Sequence, residues 1–200
     1  MKKSISIFLF TVLWFLIVGL TCEERNVEVP VVGSDMQPVD VNSSDGSFNE
    51  IGEFDASELI EKIRNDNNFD AVISVELQGI TYKITENESN PSTVIEGEIR
   101  VNSQPTNTPK KLLDIQDLNL NDVENTKQTP ALESEGVEEI NNAISIYRNG
   151  QLTGATGRIF FQVRGTATPA PPPNVKFKLE VTVTLTVIGV VKVDVPTSPL

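Results

Sequence analysis

Residues 175–195 read VKFKLEVTVTLTVIGVVKVDV. Val175, Phe177, Leu179, Val181, Val183, Leu185, Val187, Val191, Val193 and Val195 all fall on odd positions. An apolar residue at every second place puts one face of a β-strand in a core and leaves the other outside. A straight strand of this length spans about 70 Å, too long for so small a domain. The reading therefore expects a bend, placed at Gly189, since an interior glycine weakens a strand.

Upstream, Ile159, Phe161, Val163 and Gly165 alternate within 157–168, and Pro169 and Pro171 to Pro173 separate that run from the last one. The two runs read as a closing hairpin across a stiff turn. Ile95, Gly97, Ile99 and Val101 alternate opposite Glu96, Glu98 and Arg100. In 71–86 the apolar parity switches from odd (Ile73, Val75, Leu77) to even (Ile80, Tyr82, Ile84), which a β-bulge at Gly79 explains. Two helices accompany these strands. One begins at Asp55, with Glu58 at capping-box spacing and Phe54 and Leu59 in the hydrophobic-staple positions. The other runs through 132–148, with Val137, Ile140, Ile144 and Tyr147 on one stripe, acids early and Arg148-Asn149-Gly150 at its end. Leu112 to Leu120 is apolar without a clear period.

Hairpin-linked strands favour antiparallel pairing. The expected class is α+β, an antiparallel β-sheet-rich domain with two helices; a β-sandwich with two helices is the alternative, which periodicity does not separate from it. The expected organisation is a signal at 1–21, an acidic tether at 22–54 and a single domain at 55–200. The tether is read from Pro30, Pro38, the run Asn42 to Ser47 and the lack of a sustained period, with Val29, Val31 and Val32 able to pair with a sheet edge.

The N-terminus carries Lys2 and Lys3, then an uncharged stretch from Ile5 to Leu20, then Cys22-Glu23-Glu24. A spanning helix needs roughly 20 apolar residues, so this order reads as an export signal. Gly19-Leu20-Thr21-Cys22 resembles a bacterial lipoprotein signal, in which the cysteine becomes the lipidated first residue. The resemblance covers the signal alone. It implies lipidation at Cys22, a membrane partner reached through the lipid, and a cell-envelope location, at the outer membrane or cell surface given the acids that follow the cysteine. A plain secretory signal and an uncleaved anchor are the alternatives.

The 200 residues hold 16 Lys+Arg, 28 Asp+Glu, no His and one Cys, for a net charge of −12. Losing Lys2 and Lys3 with the signal takes this to −14 and removes Trp14, the only tryptophan. Without histidine there is no Ser–His–Asp or Cys–His centre and no His-ligated zinc. A chain this acidic repels nucleic-acid phosphates. Carboxylates cluster at Asp114, Asp117, Asp122 and Glu124, and at Glu133, Glu135, Glu138 and Glu139. A glycosidase needs two of them facing across a cleft, usually with aromatic surface to hold sugar. Asp40 to Gly46 looks like a calcium loop but fails: Asp45 stands where the glycine belongs, and Ile51 where the glutamate belongs. No enzyme activity, metal or cofactor is expected.

Residues 148–200 are basic, with Arg148, Arg158, Arg164, Lys176, Lys178 and Lys192 against Glu180 and Asp194. Arg158, Arg164, Lys176 and Lys178 share even parity, so the reading places them on one polar face of the closing hairpin. Either the protein's own acids and water answer them, or an anionic envelope glycan, headgroup or protein partner does. The expected function is a non-catalytic envelope lipoprotein, a tethered binding or scaffold module. The alternative is an envelope carrier of a lipid or other apolar ligand, its cleft lined by the stripe from Val175 to Val187.

Overall fold

The computed structural model describes residues 22–104, 106–145, 157–168 and 174–196. Its elements in chain order are β1 (Cys22–Ser43), β2 (Ser47–Asp55), α1 (Ala56–Asp66), β3 (Ala71–Thr85), β4 (Val94–Asn102), β5 (Lys110–Asn119), α2 (Leu120–Val123), α3 (Ser134–Ile144), β6 (Arg158–Thr168) and β7 (Val175–Pro196). The chain is mostly antiparallel sheet, in a three-stranded sheet of order β1-β7-β3 and a four-stranded sheet of order β2-β6-β4-β5.

The valine stripe makes β7 the central strand of the first sheet. From Val175 to Val187 its odd residues are 3% exposed or less. β-Branched side chains suit such a pleated, covered surface. β1 pairs along the whole of β7, from Cys22↔Pro196 to Ser43↔Val175, and β3 pairs on the other side, from Thr85↔Lys178 to Ala71↔Val190. At Gly189, where a bend is expected, the β1–β7 register runs on without a shift, while β3 is irregular opposite it, between Val72↔Gly189 and Ser74↔Ile188. The glycine serves the ring of Phe69, since a Cβ there would stand 2.0 Å from a ring carbon. The length is accommodated because β3 stops at Ala71. Cys22 to Val27 and Val191 to Pro196 continue as a two-stranded ribbon.

The tether expected at 22–54 is corrected. That segment is β1 and β2, and Val39, Val41, Phe48 and Phe54 are buried. β1 is an edge strand, which tolerates Pro30 and Pro38; neither offers an N–H to a further strand. The alternation is masked because much of β1 is exposed on both faces.

β3 carries the bulge expected at Gly79, with a register shift between Leu77 and Gly79, and a second between Val72 and Ser74. Past Gly79, Ile80, Tyr82 and Ile84 return to the core. Its outer edge is covered by the segment 124–128, through Tyr82 N–H to Gln128 O (3.1 Å), Gln128 N–H to Tyr82 O (2.8 Å) and Asn125 N–H to Ile84 O (2.8 Å).

Helix α1 starts where Asp55 caps it, its carboxylate accepting from the Ser57 N–H (2.9 Å) and the Glu58 N–H (3.3 Å). Ala56, Leu59, Ile60 and Ile63 are its buried face. Helix α3 begins at Ser134; Tyr147, Arg148 and Asn149-Gly150, expected at its end, lie outside the described residues, as do Pro169 and Pro171 to Pro173. The apolar stretch at 112–120 is β5 running into α2.

One core joins the two sheets. Phe48 of β2 meets Phe177 of β7 edge to face, with centroids 5.9 Å apart and planes at 87°. The stripe from Val175 to Val187, read above as the lining of a carrier cleft, belongs to this packed core.

Candidate functional site

The four basic residues expected to share one face are divided between the sheets. β6 pairs with β2 and β4, and β7 with β1 and β3, so the closing hairpin does not form. Odd residues of both strands fill the core. Arg158 and Arg164 therefore stand on the outward face of the four-stranded sheet, and Lys176 and Lys178 on that of the three-stranded sheet. Each meets an acid of its own chain: Arg158 with Glu53 (3.2 Å), Arg164 with Glu98, Lys176 with Glu88 (2.6 Å) and Lys178 with Glu86 (2.5 Å). Glu86 holds Lys178 above the ordinary lysine value through its hydrogen bond, against a smaller opposing effect of burial. The two lysine pairs are solvated, a setting in which ion pairs contribute little.

A row of planar polar groups takes their place. The registers align Asn49 of β2, Arg164 of β6, Glu98 of β4 and Asp114 of β5 across all four strands. Ile51, Gln162 and Arg100 form the next row. Asn49, Arg164, Glu98 and Asp114 of the first row and Gln162 of the second line a shallow cleft of about 540 Å³. Glu98 is its centre: it accepts from Arg100 Nε (2.9 Å) and from Arg164, while Arg100 Nη1 donates to the Pro109 carbonyl (3.0 Å). Gln162 Nε2 donates to Asn49 Oδ1 (2.8 Å), and Lys111 pairs with Asp114 (2.6 Å). Under the row, Gly97 and Gly165 face each other, and a Cβ on Gly97 would lie 2.3 Å from the Arg164 carbonyl oxygen. Bare glycines let β4 and β6 approach here and keep the cleft floor free of side chains.

Burial alone pushes the Glu98 carboxyl up, but the hydrogen bonds and charges of Arg164 and Arg100 outweigh it and hold it below the ordinary glutamate value. A carboxyl depressed by folding contributes stability above its unfolded value near 4.5, and that stability drains away as pH falls through the lower folded value. Glu98→Gln should therefore cost about 1–2 kcal/mol at pH 7, modest because Arg164 is 46% exposed. It should also flatten the loss of stability in acid. Urea melts of both chains between pH 7 and pH 3 check this; parallel pH profiles would remove Glu98 from the acid response.

The two carboxylate clusters are dispersed. Asp114 faces the cleft, Asp117 has a left-handed backbone (φ 46°) at the irregular pairing of β4 with β5, and Glu124 accepts from the Asn87 N–H (3.1 Å). Glu139 ties the β4–β5 loop to α3, accepting from the Ser103 N–H (2.8 Å) and hydroxyl (2.5 Å). Asp45 closes the β1–β2 turn, accepting from the Ser47 N–H (3.0 Å), the Ser47 hydroxyl (2.8 Å) and the Ser43 hydroxyl (2.9 Å). Among the described residues, no three or more Cys, Asp or Glu side chains gather as metal ligands. Cys22 is exposed at the tip of the ribbon, opposite Pro196.

The alternation of Glu96, Glu98 and Arg100 signalled the β4 part of the row. Asn49 carries no such signal, because its segment has no sustained period, and the pairing of strands distant in sequence leaves no local trace.

No family model matches this chain, and comparison with curated proteins gave no match. Two solved structures of turnip yellow mosaic virus resemble it loosely. One is 11% identical over 89% of this chain and 98% of that one, with a TM-score of 0.37; the other, determined at 100 K, is 11% identical over 80% and 96%, with a TM-score of 0.31. Likenesses this loose establish neither fold nor function.

Proposed function

We propose that this chain is a non-catalytic lipoprotein of the bacterial cell envelope, held at the outer membrane or cell surface by a lipid on Cys22 and acting as a binding or scaffold module. The arrangement is read as a β-sandwich with its helices packed at the margins. The cleft around Glu98, with its amide, guanidinium and carboxylate groups in register, is the face offered to a partner, an anionic envelope glycan or a protein. Such groups suit hydroxyl- and carboxyl-bearing surfaces because each makes paired, directional hydrogen bonds.

The observation that carries the anchoring is the position of Cys22. It follows directly on the uncharged stretch, is exposed, and begins β1 at the far end of the ribbon, where acyl chains meet no steric obstacle from the described residues. No described helix is long and apolar enough to cross a membrane. Two or three acyl chains hold a protein on a bilayer, each buried CH₂ contributing about 0.8 kcal/mol. Radiolabelled fatty acid fed to the native host should label the wild-type chain and leave Cys22→Ala unlabelled. Equal labelling of the two, or none on wild type, sinks the anchor.

A further inference from the structure

We infer that the ribbon tip is itself a lipid-contact surface: Val27, Val193 and Val195 rest in the headgroup region of the membrane, and the module stands on its ribbon. The inference rests on the anchoring reading above. Val27 and Val193 are 41% and 37% exposed, two of the five large apolar side chains exposed among the described residues. Val27, Val193 and Val195 have the parity that faces the core farther along β1 and β7. Beyond the end of β3, at Ala71↔Val190, no third strand joins the ribbon among the described residues. The apolar strip of the sheet thus runs past the core that covers it elsewhere.

Two facts select a lipid surface as its occupant. The uncharged stretch Ile5 to Leu20 joins the fold at Cys22, so retained or replaced by acyl chains, the apolar anchor enters at this tip. The charges of the tip also nearly cancel. Arg25 pairs with Glu23 (3.4 Å) and Lys192 with Glu24 (3.5 Å), leaving Asp194. A near-neutral tip suits a zwitterionic surface and gains little from an anionic one. The ribbon root is fixed, for Asp70 accepts from the Lys192 N–H (3.1 Å) and its own N–H donates to the Val190 carbonyl (2.8 Å). The tip is thus tied at its root to the sheet, and β1 and β7 pair without a break out to Cys22↔Pro196.

The test uses the full chain made in its native host and reconstituted in phosphatidylcholine vesicles. Trp14→Phe provides a background in which Val193→Trp, or Val27→Trp as a second reporter, is the only tryptophan. Thr184→Trp, on the outward side of β7, is the water-facing control. Acyl-brominated phosphatidylcholine should quench the tip reporters about twofold or more and spare the control, because an interfacial group lies about 5–10 Å into the headgroup boundary. Tip emission that is unquenched in chains that sediment with the vesicles overturns the inference and leaves the anchor standing. Blue-shifted but unquenched emission does the same and points to a second protein copy on the strip. Chains that stay in the supernatant overturn both readings.

Discussion

Phe161→Ala should lower the free energy of unfolding by about 3–5 kcal/mol, a large part of the roughly 5–15 kcal/mol that holds a domain together. Phe161 has no exposed surface and is among the largest fully buried side chains. It sits mid-strand in β6, between Gly52 of β2 and Val101 of β4. Removing the ring takes away its transfer free energy and leaves a hole that two hydrogen-bonded neighbours hold open. Urea unfolding followed by circular dichroism reads the effect as a shift of midpoint at unchanged slope. A loss below about 1.5 kcal/mol would mean that the four-stranded sheet closes over the gap, contrary to the packing described.

The second large effect concerns the facing glycines. Gly97→Ala and Gly165→Ala should each cost about 2–3 kcal/mol, at the upper end for overpacking, because the new Cβ meets backbone. At Gly97 it would stand 2.3 Å from the Arg164 oxygen, and at Gly165 2.4 Å from the Glu96 oxygen and 2.7 Å from the Phe48 ring. Both substitutions wedge β4 and β6 apart at one point, so the double variant should cost about 1 kcal/mol or more less than the sum of the singles. Gly79→Ala serves as the control. Nothing lies within 4 Å of its Cβ, and it should be neutral or stabilise by up to about 1 kcal/mol. Additive losses from the Gly97 and Gly165 changes would show that the two strands do not share one close contact.

What could be read from the sequence was what each segment does by itself. The stripe of β7 declares a strand at any distance from its neighbours. The parity switch in β3 declares a bulge at Gly79, and Asp55 declares a helix start through hydrogen bonds to residues two and three places on. None of these names a partner strand. β6 and β7 adjoin in sequence, and adjacent strands pair more often than not, yet here they enter different sheets. The same limit hid the candidate site. Arg164 and Lys176 were legible as outward bases, but Glu98 and Glu88, which answer them, lie 66 and 88 residues away. β1 was missed for another reason: its prolines and half-exposed valines are what an edge strand carries, and they imitate a linker.

The pairing of β1 with β7 fixes when the first sheet can exist. β1 leaves the ribosome ahead of every other described strand, and the strand it needs comes last. β3 waits for the same partner, since β1 and β3 do not pair with each other. Closing loops this long is entropically costly before any contact rewards it, so folding should be slow. During synthesis two strands are held with the edges that β7 will fill left open, the state in which chains recruit one another into aggregates. A chain interrupted before Val175 has no first sheet at all. The first sheet is thus a late event in the life of the chain, complete only when its last described strand is made.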